Sequence, residues 1–138
     1  MVLESAGVAE IFLAGRVLFG AVLAFMGLNH FLNGDQLAPY AEAKGIPAPS
    51  LSVGFSGGML LFGGLSVAAG VYPVLGAGAL AVFLLVTTPV MHDFWAAAPE
   101  DQQTEMTQFL KNLVMLGGSL ALLALATEPW PYAVGIGL

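Results

Sequence analysis

Cysteine is absent from this sequence. That absence excludes disulfides, a thiolate nucleophile, cysteine-ligated iron–sulfur clusters and dithiol redox chemistry within the chain. Any redox role would therefore require a bound cofactor or another subunit.

Charged residues are also scarce, at 9% of the 138 residues, whereas a soluble domain carries about a quarter. Hydrophobic residues make up 58% of the chain, and the mean hydropathy is +0.88. Long apolar runs with so few charges indicate that lipid surrounds most of the surface. The sequence therefore predicts an integral membrane protein whose first contacts are membrane lipids.

Basic residues are the scarcest charges: Arg16, Lys44 and Lys111 stand against nine acids, for a net charge of −6. A negative surface does not suit nucleic acid or anionic lipid headgroups, so no nucleic-acid partner is expected. Three basic residues are too few to fix the membrane orientation. The first ten residues contain Glu4 and Glu10 and no basic residue, so a cleaved secretory signal is not expected.

Four apolar segments approach the roughly 20 residues that a helix needs to cross a bilayer. They run approximately over residues 8–32, 51–71, 74–94 and 106–127. A short interfacial helix is expected over Pro39 to Lys44, between the first two segments. The predicted fold is all-α, an antiparallel four-helix bundle that forms one transmembrane domain over residues 1–138. Four crossings place both chain ends on one side, and we expect a multi-pass protein of the plasma membrane.

Small residues in these segments predict where the helices approach each other closely. The second segment offers Gly54-xxx-Gly58 and Gly64-xxx-Ala68, and the fourth offers Gly117-Gly118. We expect the glycine faces of these two segments to make the closest contacts. Gly58 and Gly117 are expected where helix backbones nearly touch.

Arg16 lies within the first half of the first segment. An arginine at that depth is unfavourable unless its side chain reaches the interface or finds a partner. We expect an interfacial anchor paired with Glu128; the alternative is an internal position.

Polar side chains gather where the apolar segments end on the side opposite the chain ends. His92 and Asp93 close the third segment, and Lys111 and Asn112 open the fourth. His30 closes the first segment at a similar depth. We expect His92, Asp93, Lys111 and Asn112 to converge on one polar pocket, with Asp93 favouring the charged forms of His92 and Lys111. The competing interpretation is an interfacial ion pair between Asp93 and Lys111, with both histidines merely ending helices.

Several short motifs occur in a set order along the chain. They are Gly27-Leu28-Asn29-His30-Phe31, Gly45-Ile46-Pro47-Ala48-Pro49, His92-Asp93-Phe94-Trp95 and Phe109-Leu110-Lys111-Asn112-Leu113 with Gly117-Gly118. Together with the glycine-rich second segment, this ordered set resembles the DoxX family. Members are small bacterial and archaeal membrane proteins with four helices, and the resemblance covers nearly the whole chain.

The resemblance implies a quinone-linked role. Relatives in the family include the membrane subunit of a thiosulfate:quinone oxidoreductase, and others work beside redox enzymes. Many members carry a glutamate in the second helix, where this chain has Gly54, Ser56 and Leu60. That difference argues against a proton relay through an acid at this position.

Three functions remain open at this stage. The first is a quinone-interacting subunit of a redox complex, in which His92, Lys111 and Asn112 donate hydrogen bonds to a quinone and no intrinsic cofactor is needed. The second is a structural or assembly subunit, chaperone-like, that works as a homo-oligomer or within a membrane complex. The third is a haem protein ligated by His30 and His92, which a strong Soret band would reveal. An enzymatic role would be that of a subunit in a quinone-linked oxidoreductase.

Overall fold

Helices account for about three quarters of the chain. The computed structural model describes residues 2–137, which form five α-helices and two short 3-10 helices, Val2–Glu4 and Phe94–Ala96. The α-helices are α1 (Val8–Leu32), α2 (Gly34–Ala43), α3 (Pro49–Ala69), α4 (Pro73–Met91) and α5 (Gln102–Leu125). Within the described residues, extended pairing is limited to one isolated bridge between Val71 and Ile136. The expected all-α fold is confirmed.

Four of these helices, α1, α3, α4 and α5, are long and apolar enough to cross a membrane. The chain is therefore a multi-pass membrane protein, as its composition predicts. The remaining helix, α2, is the short helix expected between the first two long ones, although it begins at Gly34 rather than Pro39.

Helix boundaries follow the prolines more closely than the apolar runs. Helix α3 begins at Pro49. A backbone N–H group in the first turn of a helix has no acceptor within that helix, and proline suits this position because its nitrogen carries no hydrogen. Ala48 is the N-cap residue that precedes Pro49, with φ of 45°. Helix α4 ends at Met91 rather than residue 94, and Pro89 removes a donor from its last turn.

Helices α1 and α3 make the closest backbone approach in the bundle. A Cβ placed on Gly20 would lie 2.7 Å from the backbone nitrogen of Ala68, and one on Gly27 would lie 2.6 Å from the carbonyl oxygen of Gly57. As the residue number increases along α1, the number of the contacting residue on α3 decreases, so the two helices run antiparallel. Small residues on both helices allow this approach.

The expectation of close contacts for the second and fourth segments is confirmed in part. Gly64 and Ala68 of α3 lie against α1 as expected, but Gly58 and Gly117 do not lie where helix backbones nearly touch. Gly54, Gly58 and Gly117 have no neighbouring atom within 4 Å of where a Cβ would stand. Gly118 does have a close neighbour, since a Cβ placed on it would lie 2.8 Å from a ring carbon of Phe19. Glycines lie on more than one face of α3, and only the face containing Gly57 and its helical neighbours meets α1.

The interior is one apolar cluster, and the outer surface is equally apolar. The cluster contains Leu23, Leu60, Val67, Ala77, Leu80, Ala126 and Trp130. Large side chains that a soluble protein would bury lie outside: Phe25, Phe55, Phe62, Leu75 and Val114 are each at least two-thirds exposed. Such a surface is suited to lipid contact.

Arg16 occupies the internal position rather than an interfacial one. Its side chain is 1% exposed, and Nη2 donates a hydrogen bond of 3.0 Å to the carbonyl oxygen of Pro131. The guanidinium lies 5.6 Å from the ring centre of Trp130. The expected pairing with Glu128 is wrong, because the chain after α5 turns back over the bundle and brings Trp130 and Pro131 to Arg16 while Glu128 stays exposed.

Candidate functional site

A cavity of about 290 Å³ lies at the end of the bundle where α1 and α4 end and α3 and α5 begin. Every α-helix contributes to its wall. Apolar side chains from the bundle interior form one part, including Met26, Leu60, Phe83 and Leu84. Polar side chains form the rest: His30, Tyr40, Ser52, Ser56, Thr87, His92, Gln108 and Asn112. This mixture of an apolar wall and a few polar groups is typical of small-molecule sites.

His30 lies in the last turn of α1 and is held against α3. Its Nδ1 is 3.2 Å from the carbonyl oxygen of Val53 and 3.1 Å from Ser56 Oγ. Ser56 in turn donates a hydrogen bond of 3.0 Å to the same carbonyl oxygen. A carbonyl only accepts, so a bond to Val53 places the hydrogen of a neutral ring on Nδ1 and leaves Nε2 as an acceptor.

His92 directly follows the last residue of α4 and is held by the first turn of α5. Its Nδ1 lies 2.9 Å from Glu105 Oε2. Because the carboxylate accepts the hydrogen bond from Nδ1–H, it orients the imidazole and leaves Nε2 free to exchange a proton with a ligand. This ring can therefore both accept and donate a proton at one atom.

Tyr40 on α2 completes the arrangement around Glu105. Its hydroxyl lies 3.2 Å from the carbonyl oxygen of Met91 and 3.4 Å from Glu105 Oε1. Burial raises the pKa of Tyr40, and the negative charge of Glu105 raises it further. The phenol therefore stays protonated and remains a hydrogen-bond donor at neutral pH.

Lys44, at the C-terminal end of α2, binds the connection that follows α4. Its Nζ lies 2.5 Å from Asp93 Oδ1, and both side chains are partly exposed. The hydrogen bond to Asp93 raises the pKa of Lys44. The ammonium also lies 5.8 Å from the ring centre of Tyr40. These contacts fasten α2 over the cavity.

The structure brings together three of the five residues named from the sequence. His30, His92 and Asn112 line the cavity. Asp93 lies beside it but pairs with Lys44, not with Lys111. The expected convergence of Lys111 on this pocket is wrong, since its side chain is exposed and outside the lining.

Helix geometry explains why Lys111 lies elsewhere. Glu105, Gln108 and Asn112 are spaced by three and four residues, so they share one face of α5. Lys111 precedes Asn112 by one residue, which turns its side chain about 100° away from that face.

Glu105, Tyr40 and Lys44 were missed as site residues. All three lie in polar stretches that were interpreted as connection or interface. Glu105 could have been found by following the face of α5 back from Asn112 by two turns. For Tyr40 and Lys44 the sequence has no comparable signal, because the packing of α2 decides their position.

In the described part of the chain, no three or more His, Asp or Glu side chains form a group that could hold a metal ion.

Comparisons with known proteins give one result. The DoxX family model matches residues 11–93, more than half of the chain. The matched part covers most of α1, all of α2 to α4, and ends at Asp93, so α5 with Glu105 and Asn112 lies outside it. No curated protein and no solved structure matches the chain.

Proposed function

The chain belongs to the DoxX family, and from this premise we propose that its cavity binds the headgroup of a quinone. The protein would then be the quinone-binding subunit of a membrane redox complex. The observation that carries the proposal is the pair His30 and His92, two histidines on one cavity whose other wall is apolar.

The size and lining of the cavity suit such a headgroup. Ligand pockets start at about 300 Å³, so 290 Å³ is at the lower end and fits a single ring better than a tetrapyrrole. That comparison favours quinone over haem. Apolar side chains such as Leu60 and Phe83 can contact the ring, while Asn112 and Gln108 offer amide donors for a carbonyl oxygen.

His92 and Glu105 supply the acid–base chemistry. Reduction of a quinone to a quinol takes up two electrons and two protons, and each proton ends on a ring oxygen. A protonated His92 gives its Nε2 proton to that oxygen, while Glu105 stabilises the imidazolium before transfer and holds the ring throughout. Tyr40 restrains Glu105 from the opposite side.

The electrons come from a partner in this proposal. The chain has no cysteine, so neither a dithiol nor a cysteine-ligated cluster is available within it. A second protein subunit with its own redox centre would reduce the quinone, and the present chain would hold the ring and supply protons.

A titration tests the proposal. The purified protein in lipid nanodiscs is titrated with a short-chain ubiquinone, with the quenching of intrinsic fluorescence as the readout. Saturable binding is expected, and His92→Ala should weaken it about tenfold or more, since hydrogen bonds to charged groups contribute about 1.5–3 kcal/mol. Lys111→Met is the matched control, because it removes an exposed charge from α5 and should bind as the wild type does.

A structural or assembly subunit remains the second candidate. Helix α5 favours it: Ser119 is the one buried residue among its described positions, so its outer face is free for a partner helix. Co-purification with a protein that lacks a redox centre, together with no saturable quinone binding, would support this second function.

A further inference from the structure

His30 lies between the cavity and a second space. A groove of about 510 Å³ opens between the end of α1, helix α2 and the start of α3. Two residues, His30 and Val53, line both this groove and the cavity. Only His30 has a side chain that exchanges protons, so it is the titratable group shared by the two spaces.

The groove is more polar than the cavity and carries acidic side chains. Asp35 and Glu42 of α2 line it, with Ser50 at the start of α3. Asp35 and Glu42 are exposed, and the short helix α2 that carries them lies between the first two candidate spans. Water and protons can therefore reach this side of His30.

We propose that His30 carries protons from the acid-lined groove into the cavity, where they protonate the bound ligand. The inference depends on the proposed quinone site and adds the route by which one of its two protons arrives. His92 and Glu105 would serve the other.

The hydrogen bonds of His30 supply the path. The neutral ring with its hydrogen on Nδ1 takes a proton from the groove at Nε2, and Nδ1 passes its hydrogen to Ser56 Oγ at 3.1 Å. The Ser56 hydroxyl turns away from the carbonyl oxygen of Val53 and gives its own proton to a ligand oxygen. At His30 one N–H bond forms and one breaks, and at Ser56 one O–H bond forms and one breaks. Both residues keep their charge, and the ring ends with its hydrogen on Nε2.

The titratable groups near His30 differ between its groove side and its cavity side. Asp35 and Glu42 face it from the groove, and Tyr40 and His92 face it across the cavity. The neighbouring wall of α4 carries no charged side chain: Thr87 is polar but not titratable here, and the ring centre of Phe83 lies 6.2 Å from that of His30. The carboxylates are thus on the side where protons would enter.

A purely structural role would also explain these hydrogen bonds, because His30 ties α1 to α3. The variant His30→Asn separates the two roles. Asparagine keeps a donor close to the position of Nδ1, but its amide does not carry protons at neutral pH.

The first measurement asks whether water reaches residue 30 and needs no quinone. The cysteine-free chain allows a single cysteine to be placed at will. In nanodiscs, His30→Cys should react with a cationic methanethiosulfonate reagent, whereas Leu23→Cys, seven residues earlier in the core, should not. No reaction at residue 30 would overturn the inference and leave the quinone proposal standing.

The second measurement follows protons directly. Bound short-chain ubiquinone is reduced with the methyl viologen radical, which releases no proton when it gives up its electron, in a stopped-flow instrument, and a pH dye records proton uptake. At saturating quinone, His30→Asn should take up protons about 100-fold more slowly than the wild type and recover with added imidazole. An unchanged rate would overturn the inference alone. Failure of the wild type to bind quinone would remove the proposed function and this inference with it.

Discussion

The imidazole of His92 and the carboxylate of Glu105 meet across the connection between α4 and α5, with 2.9 Å between Nδ1 and Oε2. The two residues are 13 positions apart in the sequence, and their contact links the third candidate span to the fourth. It also fixes which ring nitrogen remains free. The account of the cavity as an acid–base site depends on this pair.

Glu105→Gln tests the charge of that pair. Glutamine keeps an oxygen that can accept from Nδ1, but it cannot stabilise an imidazolium by charge. We expect the dissociation constant for a short-chain ubiquinone to rise about tenfold, which corresponds to about 1.4 kcal/mol. Binding is measured by fluorescence titration, and equal constants for the variant and the wild type would show that the charge is not used.

The sequence predicts the depth of the polar groups better than their partners. His30 and His92 both end odd-numbered apolar segments, so their position at one end of the bundle follows from counting the crossings. The partner of His92 does not follow, because it depends on how α5 is rotated about its axis. Rotating α5 about its axis by the angle between consecutive residues would decide whether Lys111 or Asn112 lines the cavity.

Glycine substitutions test the packing of α1 against α3. Gly27→Leu places a side chain where the carbonyl oxygen of Gly57 already lies, and overpacking of this kind costs about 1–3 kcal/mol. The thermal unfolding midpoint in detergent should fall. Gly117→Leu is the matched control, since its position is open, and its midpoint should stay at the wild-type value. A fall in both variants would contradict the packing described.

This contact was only partly predictable. Gly20, Ala24 and Gly27 are spaced by four and three residues and share one face of α1. Helix α3 has small residues on several faces, so spacing alone could not distinguish Gly57 from Gly58. The side that faces α1 is chosen by the packing of the whole bundle.

Arg16→Met tests the attachment of the C-terminal residues. The variant removes the hydrogen bond to Pro131 and the contact with the ring of Trp130. The amides of Val134 and Gly135, which bond to the carbonyl oxygens at the end of α3, should then exchange hydrogen faster. Quinone affinity should not change, because Arg16 lies at the opposite end of the bundle. Slow exchange retained in the variant would mean that Arg16 does not hold this segment.

Alkaline pH should loosen α2. The pKa values of Lys44 and Tyr40 are both raised, so each group contributes stability that is complete below its unfolded pKa, about 10, and is lost as pH rises through the folded value. The unfolding midpoint should fall between pH 8 and pH 11. The double variant Lys44→Met, Tyr40→Phe should show a smaller fall, and Tyr72→Phe, outside the cavity, should show the wild-type fall. An equal fall in all three proteins would contradict the role given to Lys44 and Tyr40.

The most direct test of the central claim is a crystal structure grown with a short-chain ubiquinone in a lipid phase. The account predicts density for the ring inside the cavity, with one carbonyl oxygen within hydrogen-bond distance of His92. A cavity that stays empty at saturating quinone, or a ring found only against the outer, lipid-facing surface of the helices, would contradict it.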